Sequence, residues 1–190
     1  MNKNIAIFAS GSGSNAEKII QYFKARETAQ VVCVFSNKSD AFVLERVQKY
    51  NIPTQYFPLK DWKQPEPIIQ RLREFKVDYI ILAGFLLKIP QVLIDLYPNR
   101  IINIHPALLP KYGGKGMYGK HVHEAVIEAQ ETESGITIHY IDENYDEGTT
   151  IFQATCKVLP TDTPDSLAEK IHLLEHEHFP KVIEQIITTK

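Results

Sequence analysis

Short apolar runs alternate along the first half of the chain with segments whose apolar residues recur at helical spacing. The first run, at residues 4–9, is closed by glycines and predicts a buried strand. The next segment, at residues 15–26, carries Ile19, Ile20 and Phe23 on one face of a predicted helix. Strand and helix then follow in turn at residues 31–35, 40–50, 55–57, 67–75, 77–83, 89–97 and 100–104.

The pattern changes in the last third of the chain. A helix is predicted at residues 121–130, after which residues 136–141 alternate apolar and polar positions. Residues 150–158 follow a polar turn and predict an antiparallel partner for that strand. Residues 163–188 predict a terminal helix, with Pro180 as a kink or break.

Alternating strands and helices indicate an α/β fold, because parallel strands are joined by helical crossovers. Ligand sites in such open sheets lie at the carboxyl ends of the strands, near the point where the strand order reverses. Functional residues are therefore expected just after predicted strands. The length of 190 residues suits one domain of common size.

Composition narrows the class of protein. The formal net charge of -2 provides no basic field for a phosphate polymer, so we expect no nucleic-acid partner. No apolar run reaches the ~20 residues of a membrane span, and the opening residues lack an export signal, so we expect no membrane partner. Cys33 and Cys156 form no C-x-x-C pair, which favours a reducing compartment and a cytoplasmic protein.

A glycine-rich loop at residues 10–16 joins the first predicted strand to the first predicted helix, where backbone N–H groups and the helix dipole favour an anion. Its Gly-x-Gly-x-x-Ala spacing also fits a dinucleotide-binding pattern, but Ser36 and Asn37 stand where that pattern requires an acidic residue. No Lys-Ser or Lys-Thr pair completes a P-loop. A compact monophosphate, bound by the loop amides with Ser14 and Asn15, fits better, and a plain tight turn is the alternative.

Asn103 and His105 stand two residues apart at the end of a predicted strand, so their side chains point to the same side. An amide and an imidazole together can stabilise the oxyanion of an acyl-transfer intermediate while the imidazole moves a proton. A structural role, in which His105 holds the following loop, is the alternative. No Gly-x-Ser-x-Gly motif is present, so covalent acyl-enzyme chemistry is not indicated.

With three further segments, these motifs resemble the phosphoribosylglycinamide formyltransferases of purine biosynthesis, over essentially the whole length and in the same order. The segments that carry the resemblance are SGSGSN at 10–15, FSNK at 35–38, LAGF at 82–85, NIHPALLP at 103–110, and Asp146. The resemblance implies the formyltransferase fold, a Rossmann-like α/β fold with an open, mostly parallel sheet, helices on both faces and an antiparallel C-terminal strand. It also implies a single formyltransferase domain at 1–190, with a phosphate-binding half at about 1–100 and a catalytic, folate-binding half at about 101–190.

The same resemblance implies which residues bind the two substrates and which are catalytic. Those implied for phosphoribosylglycinamide are Gly13, Ser14, Asn15, Gly84, His172 and Glu175. Those implied for the formyl donor, 10-formyltetrahydrofolate, are Lys63, Leu86, Leu87, Lys88, Ile89 and Asn103. The implied catalytic set is Asn103, His105 and Asp146, and no metal is implied.

A direct mechanism follows from the implied catalytic set. The neutral amine of the acceptor attacks the formyl carbon, and a tetrahedral intermediate forms with negative charge on its oxygen. Asn103 and a protonated His105 donate to that oxygen, and Asp146 favours the charged form of the imidazole. A water ordered by Asp146 carries the excess proton to the leaving nitrogen of the folate.

Several other functions stay open. A related folate-dependent formyltransferase or a formyltetrahydrofolate hydrolase shares much of the pattern, although such enzymes usually carry a further domain. His172 and His176 stand one helical turn apart in an H-x-x-E-H motif, which leaves a remote zinc hydrolase. A nucleotide-binding module without catalysis would account for the glycine loop alone. The chain is expected to be a monomer or a homodimer.

Two segments depart from the family pattern. Residues 111–120 form a longer loop than many members have, rich in glycine and lysine, and Glu147 replaces a glycine beside the implied catalytic aspartate. Among the remaining residues, Asp40 is a predicted N-cap and His139 is expected to be structural. Trp62 lies in a polar stretch and can be exposed.

Overall fold

One mixed β-sheet organises the chain in a computed structural model that describes residues 2–144 and 146–189. Each of its strands was anticipated by an apolar or alternating segment of the sequence, to within a few residues. The strands, in chain order, are β1 (Lys3–Phe8), β2 (Ala29–Ser36), β3 (Thr54–Tyr56), β4 (Tyr79–Leu82), β5 (Ile101–His105), β6 (Glu133–Tyr140) and β7 (Thr150–Lys157).

The strand order in the sheet is β3-β2-β1-β4-β5-β6-β7. Strands β1 to β5 pair in parallel, whereas β6 runs antiparallel to β5 and β7 runs antiparallel to β6. The order reverses between β1 and β4, which is where an open α/β sheet leaves a crevice for ligands. The predicted fold class, a mostly parallel sheet with an antiparallel C-terminal strand, is confirmed, and the structure adds a second antiparallel pairing, of β6 with β5.

Helices cover both faces of the sheet. Successive residues of a strand point to opposite faces, so apolar strands need an apolar cover on each side. In β1, Ile5 and Ile7 face one apolar cluster, while Ala6 and Phe8 face the other. The first cluster includes residues of α1, α2, α6 and α7, and the second includes residues of α3, α4 and α5, with these bounds: α1 (Ser14–Lys24), α2 (Val43–Arg46), α3 (Leu59–Lys63), α4 (Glu66–Glu74), α5 (Gln91–Leu96), α6 (Lys120–Glu128) and α7 (Pro164–Thr188).

Two details of the sequence-based interpretation are wrong, and one alternative that it left open is narrowed. Trp62 is buried on α3, a helix that the sequence did not predict, and its indole N–H donates to the carbonyl oxygen of Phe57 at 2.9 Å. Asp40 caps no helix, since α2 begins at Val43 without a side-chain cap. Of the two outcomes expected at Pro180, the break does not occur, because buried residues on both sides of the proline pack within one continuous helix α7, while the kink stays a prediction.

Helix α7 is the longest helix described, with 25 residues. It begins with a reciprocal capping box, in which the side chains of Thr163 and Ser166 each accept from the other residue's backbone N–H. Across the residues described, no helix combines the length and apolar character needed to cross a membrane.

Candidate active site

A cavity of about 480 Å³ opens at the carboxyl ends of β1, β4 and β5, beside the point where the strand order reverses. Four chain segments contribute its walls, together with His123 of α6 and side chains of α7 and of the loop before β7. The four segments are residues 11–15, 82–89, 103–106 and 114–119. The cavity therefore connects the glycine loop to the end of β5, where the sequence analysis expects two different kinds of chemistry.

The amide of Asn103 is oriented by a histidine on the neighbouring strand. Asn103 and His139 are direct cross-strand partners, and Asn103 Nδ2 lies 3.0 Å from His139 Nε2. His139 Nδ1 lies 2.9 Å from the carbonyl oxygen of Tyr140, which can only accept, so the ring hydrogen is on Nδ1 and Nε2 accepts from Asn103. Burial lowers the pKa of His139, which keeps the ring neutral and able to accept.

His105 is held between a backbone carbonyl and a carboxylate. Its Nε2 donates to the carbonyl oxygen of Tyr112 at 2.7 Å, and its Nδ1 lies 3.6 Å from Asp146 Oδ2. The Tyr112 carbonyl can only accept, so Nε2 carries a hydrogen, and the Asp146 carboxylate faces Nδ1 from beyond hydrogen-bond distance. The same Asp146 oxygen accepts from the backbone N–H of Gly114 at 2.9 Å.

The structure brings the three residues of the implied catalytic set to one end of the cavity. Asp146 also lies 3.7 Å from His139 Nε2, measured from Oδ1, so the carboxylate stands between two imidazoles. Sequence reasoning missed the contact of His139 with Asn103. The alternation of β6 placed His139 on one face of its strand, but the register with β5 that sets the pair cannot be read from the chain alone.

The glycine loop at the other end of the cavity is fastened by α2. The N–H of Val43 donates to the carbonyl oxygen of Gly11 at 3.0 Å, and Arg46 Nε donates to that of Ser12 at 2.6 Å. Gly13 has a φ of 75°, and a Cβ added there would lie 2.4 Å from Val43 Cγ2. The loop conformation therefore requires glycine at this position, and Ser14 begins α1, whose N-terminal N–H groups face the cavity.

A buried carboxyl on α7 faces the glycine loop. Asn15 Nδ2 donates to Glu175 Oε2 at 2.8 Å, and burial raises the pKa of Glu175. Asn15 Oδ1 is buried without a hydrogen-bond partner among the described residues, which leaves an acceptor for a ligand. Glu175 and His172, which stand one turn apart on α7, both line the cavity.

The segment after β4 forms the wall between the two ends of the cavity. Gly84 has a φ of 74° and lines the cavity. The residues that follow it there are Leu86, Leu87, Lys88 and Ile89, as the sequence analysis expects for a ligand-binding segment. Lys63 is exposed on α3 and is not among the lining residues, so the structure does not bring it to the site.

The H-x-x-E-H motif on α7 does not assemble further ligands. The rings of His172 and His176 are stacked with centroids 6.2 Å apart, and the intervening Glu175 bonds to Asn15. Within residues 2–144 and 146–189, no group of three or more His, Cys, Asp or Glu side chains is arranged to hold a metal ion. The zinc alternative gains no support from this arrangement.

A Rossmann-like sheet with an anion-binding loop at one end of a cavity, and an amide, imidazole and carboxylate at the other, defines the class of α/β transferases that move a small acyl group. The chain belongs to the formyl transferase family: residues 3–183 match the family described as "Formyl transferase".

Named relatives agree with this family. The chain is 40% identical over 187 residues to the chloroplastic phosphoribosylglycinamide formyltransferase of Arabidopsis thaliana, covering 95% of this chain and 64% of the plant protein. It is 36% identical over 190 residues to the phosphoribosylglycinamide formyltransferase of Bacillus subtilis (strain 168), covering 97% and 95% of the two chains. The crystal structure of the Bacillus halodurans enzyme of that name superposes with a TM-score of 0.90 at 37% identity, covering 98% of this chain and 96% of the other.

Proposed function

We propose that the protein transfers a formyl group from 10-formyltetrahydrofolate to the amine of phosphoribosylglycinamide. One observation carries the proposal: a single cavity connects an anion-binding glycine loop to the cluster of Asn103, His105 and Asp146. The relatives named above support the acceptor, since their names specify it. The chain spans 64% of the plant relative's length, so the activity is proposed for the region that both proteins share.

The acceptor fits the anion end of the cavity. The backbone of Gly13, Ser14 and Asn15 presents N–H groups at the start of α1, which suits a phosphate monoester. The ribose hydroxyls can donate to the buried carboxyl of Glu175 and to the unpartnered Oδ1 of Asn15. His172 on the cavity rim adds a contact for the phosphate. The acceptor amine then extends past Gly84 toward the end of β5.

The donor fits the wall formed after β4. Residues 86–89 contribute two leucines, a lysine and an isoleucine to the cavity lining, which suits a planar, partly apolar ring with polar edges. Asn103 lies at the end of the neighbouring strand, since Leu82 and Asn103 pair in the sheet. The formyl group of a donor bound against this wall would lie beside the amide and imidazole.

The chemistry is a direct attack of the amine on the formyl carbon. The carbonyl oxygen gains negative charge and accepts from Asn103 Nδ2 and from the Nδ1–H of the protonated His105, which lies 3.6 Å from Asp146 and is not hydrogen bonded to it, while Nε2 stays bound to Tyr112. The bond between the formyl carbon and the folate nitrogen then breaks, and the proton lost by the attacking amine moves to that nitrogen through a water held by Asp146. The products are the formylated acceptor and tetrahydrofolate.

The direct experiment mixes the purified protein with both substrates and follows the folate absorbance, with each substrate omitted in turn. Transfer predicts a signal only when both are present, together with formylated acceptor by mass spectrometry. Folate turnover and formate release without the acceptor would instead indicate a hydrolase. No turnover under any combination, with the substrates shown to be intact, would overturn the proposed function.

A further inference from the structure

The hydroxyl of Ser10 connects three strand ends. Ser10 is the second residue after the end of β1 and is 3% exposed. Its Oγ donates to Asn37 Oδ1 at 2.6 Å, and Asn37 follows β2. The same Oγ accepts from the backbone N–H of Leu86 at 2.9 Å, and Leu86 belongs to the segment after β4.

This hydroxyl has a fixed direction. Its single hydrogen is committed to Asn37, so its lone pairs are turned toward the N–H of Leu86. The bond between the Leu86 N–H and the buried Ser10 is partly buried, and losing the hydroxyl leaves that N–H without its protein partner. A separate backbone bond, from Ser10 N–H to the carbonyl oxygen of Gly84 at 2.9 Å, does not depend on the side chain. Removing the hydroxyl therefore releases Leu86 without releasing Gly84.

Ser10 also stands where the two substrate regions meet. The next residue, Gly11, begins the glycine loop, while Leu86 begins the residues 86–89 that form the donor wall. The glycine loop has its own attachments to Val43 and Arg46. The donor wall thus depends on the Ser10 hydroxyl in a way that the glycine loop does not.

We propose that Ser10 is a positioning residue for the donor: its hydroxyl, oriented by Asn37, holds the Leu86 end of the donor wall at a fixed place relative to the acceptor loop. Ser10 touches neither reacting group and acts through the backbone of Leu86. This inference rests on the proposed function for the identity of the two ligands, but the attachment of Leu86 can be measured without either of them.

The test uses steady-state kinetics on the full-length chain. For Ser10→Ala we expect the KM for 10-formyltetrahydrofolate to rise about tenfold, which corresponds to the loss of one partly buried hydrogen bond. The KM for phosphoribosylglycinamide should change less than about twofold. Asn37→Ala leaves the Ser10 hydroxyl in place but removes the acceptor that orients it, so the KM for 10-formyltetrahydrofolate should rise less than in Ser10→Ala. The double variant should have the same KM for 10-formyltetrahydrofolate as Ser10→Ala, because Asn37 acts through Ser10. Ser10→Thr, which retains a hydroxyl, should recover most of the donor affinity.

The matched control is Ser39→Ala, which changes an exposed serine in the same loop as Asn37 and should alter neither KM. Hydrogen exchange of the Leu86 amide gives a second readout without ligands, and it should speed up in Ser10→Ala but not in Ser39→Ala. Equal rises in both KM values, additive effects of Ser10→Ala and Asn37→Ala, or unchanged exchange at Leu86 would each overturn the inference. A wild-type protein without transferase activity would refute the proposed function, while the exchange measurement would still decide whether Ser10 holds Leu86.

Discussion

At the scale of single residues, Asn103 has the clearest chemical consequence. Its Nδ2 group is directed by His139 and supplies the proposed oxyanion donor. Asn103→Asp keeps the shape of the side chain but removes both N–H groups, so we expect kcat to fall about 100-fold or more. Steady-state kinetics measures the loss. Asn51→Asp, at an exposed site, is the matched control, and near-normal turnover of Asn103→Asp would remove Asn103 from the mechanism.

His139 should act only through Asn103. His139→Ala removes the acceptor that orients the amide, and we expect kcat to fall about tenfold, as is common for residues that orient a ligating or reacting group. In a double-mutant cycle, His139→Ala should add little once Asn103 is already alanine, because the group it orients is gone. Fully additive losses would show an independent role for His139.

The buried carboxyl of Glu175 is expected to reduce the stability of the folded protein at high pH and to strengthen binding of the acceptor. Its pKa is raised in the folded protein because the carboxyl is buried, so the folded state holds the proton more tightly than the unfolded state does. Stability is therefore lost as the pH rises through the folded pKa. Glu175→Gln keeps an acceptor for Asn15 without the charge, and we expect its Tm to exceed that of the wild type at high pH, by a margin that narrows as the pH falls.

Thermal unfolding across pH measures this difference. Glu177→Gln on the same helix is the control, since Glu177 is exposed and should show no such pH-dependent gain. A wild type that is equally or more stable than Glu175→Gln at high pH would contradict the expectation. Acceptor affinity should weaken in Glu175→Gln, because a neutral amide is a poorer partner for ribose hydroxyls than a carboxylate.

Site residues can be predicted from the sequence where the residues that act together stand close to each other along the chain. Asn103 and His105 are recognisable because two residues on one strand share a face, and the structure indeed directs both toward the cavity. The contact of His139 with Asn103 depends on strand register, and Lys63 depends on how α3 sits on the sheet. Such placements follow from tertiary packing, and no short segment of the sequence encodes them.

At the scale of elements, the glycine loop and α2 form one unit. Gly13→Ala forces a left-handed conformation on a residue with a Cβ and drives that Cβ into Val43, so we expect a loss of about 1–3 kcal/mol of stability and much weaker acceptor binding. Chemical denaturation and acceptor titration measure the two effects. Gly11→Ala is the matched control for stability, because a Cβ there meets nothing within 4 Å. Equal stability of the two variants would contradict the role assigned to α2.

The elements that sequence reasoning misjudged share a cause. The helices around Asp40 and Trp62 are short, with α2 spanning 4 residues and α3 spanning 5, so their form is set by packing against the sheet and not by a periodic pattern. Pro180 lies in the long helix α7 and is tolerated there because packing also decides the local structure, since neighbours such as Phe179 and Ile183 are fully buried. Long or strongly patterned elements were predicted well, because their own burial pattern defines them.

At the scale of the whole molecule, the halves at about 1–100 and about 101–190 contribute strands to the same sheet. Strands β4 and β5, one from each half, pair directly, and α7 from the end of the chain packs on α1 near its beginning. We therefore propose that residues 1–190 form one cooperative domain and predict a single unfolding transition. Trp62, the sole tryptophan, reports on the first half, and its fluorescence should change together with the far-UV circular dichroism. Separate midpoints would indicate two independently folding units.

The expectation of a monomer or a homodimer stays a prediction. The cytoplasmic location and the absence of nucleic-acid or membrane partners, which sequence composition and pattern favour, stay predictions as well. Gel filtration with light scattering decides between monomer and homodimer. Each of these properties concerns surfaces and partners outside the cavity, so none of them alters the chemistry proposed for it.

The proposed catalytic imidazole and carboxylate are both anchored by main-chain atoms of residues 112–114, the carbonyl of Tyr112 and the amide of Gly114. Apart from Gly114→Pro, which removes the N–H, point substitutions leave such anchors in place, whereas insertions or deletions can displace them. A variant with this loop shortened should thus stay active only when the deletion lies after Gly114. In directed evolution of this loop, tolerated length changes should concentrate in residues 115–119.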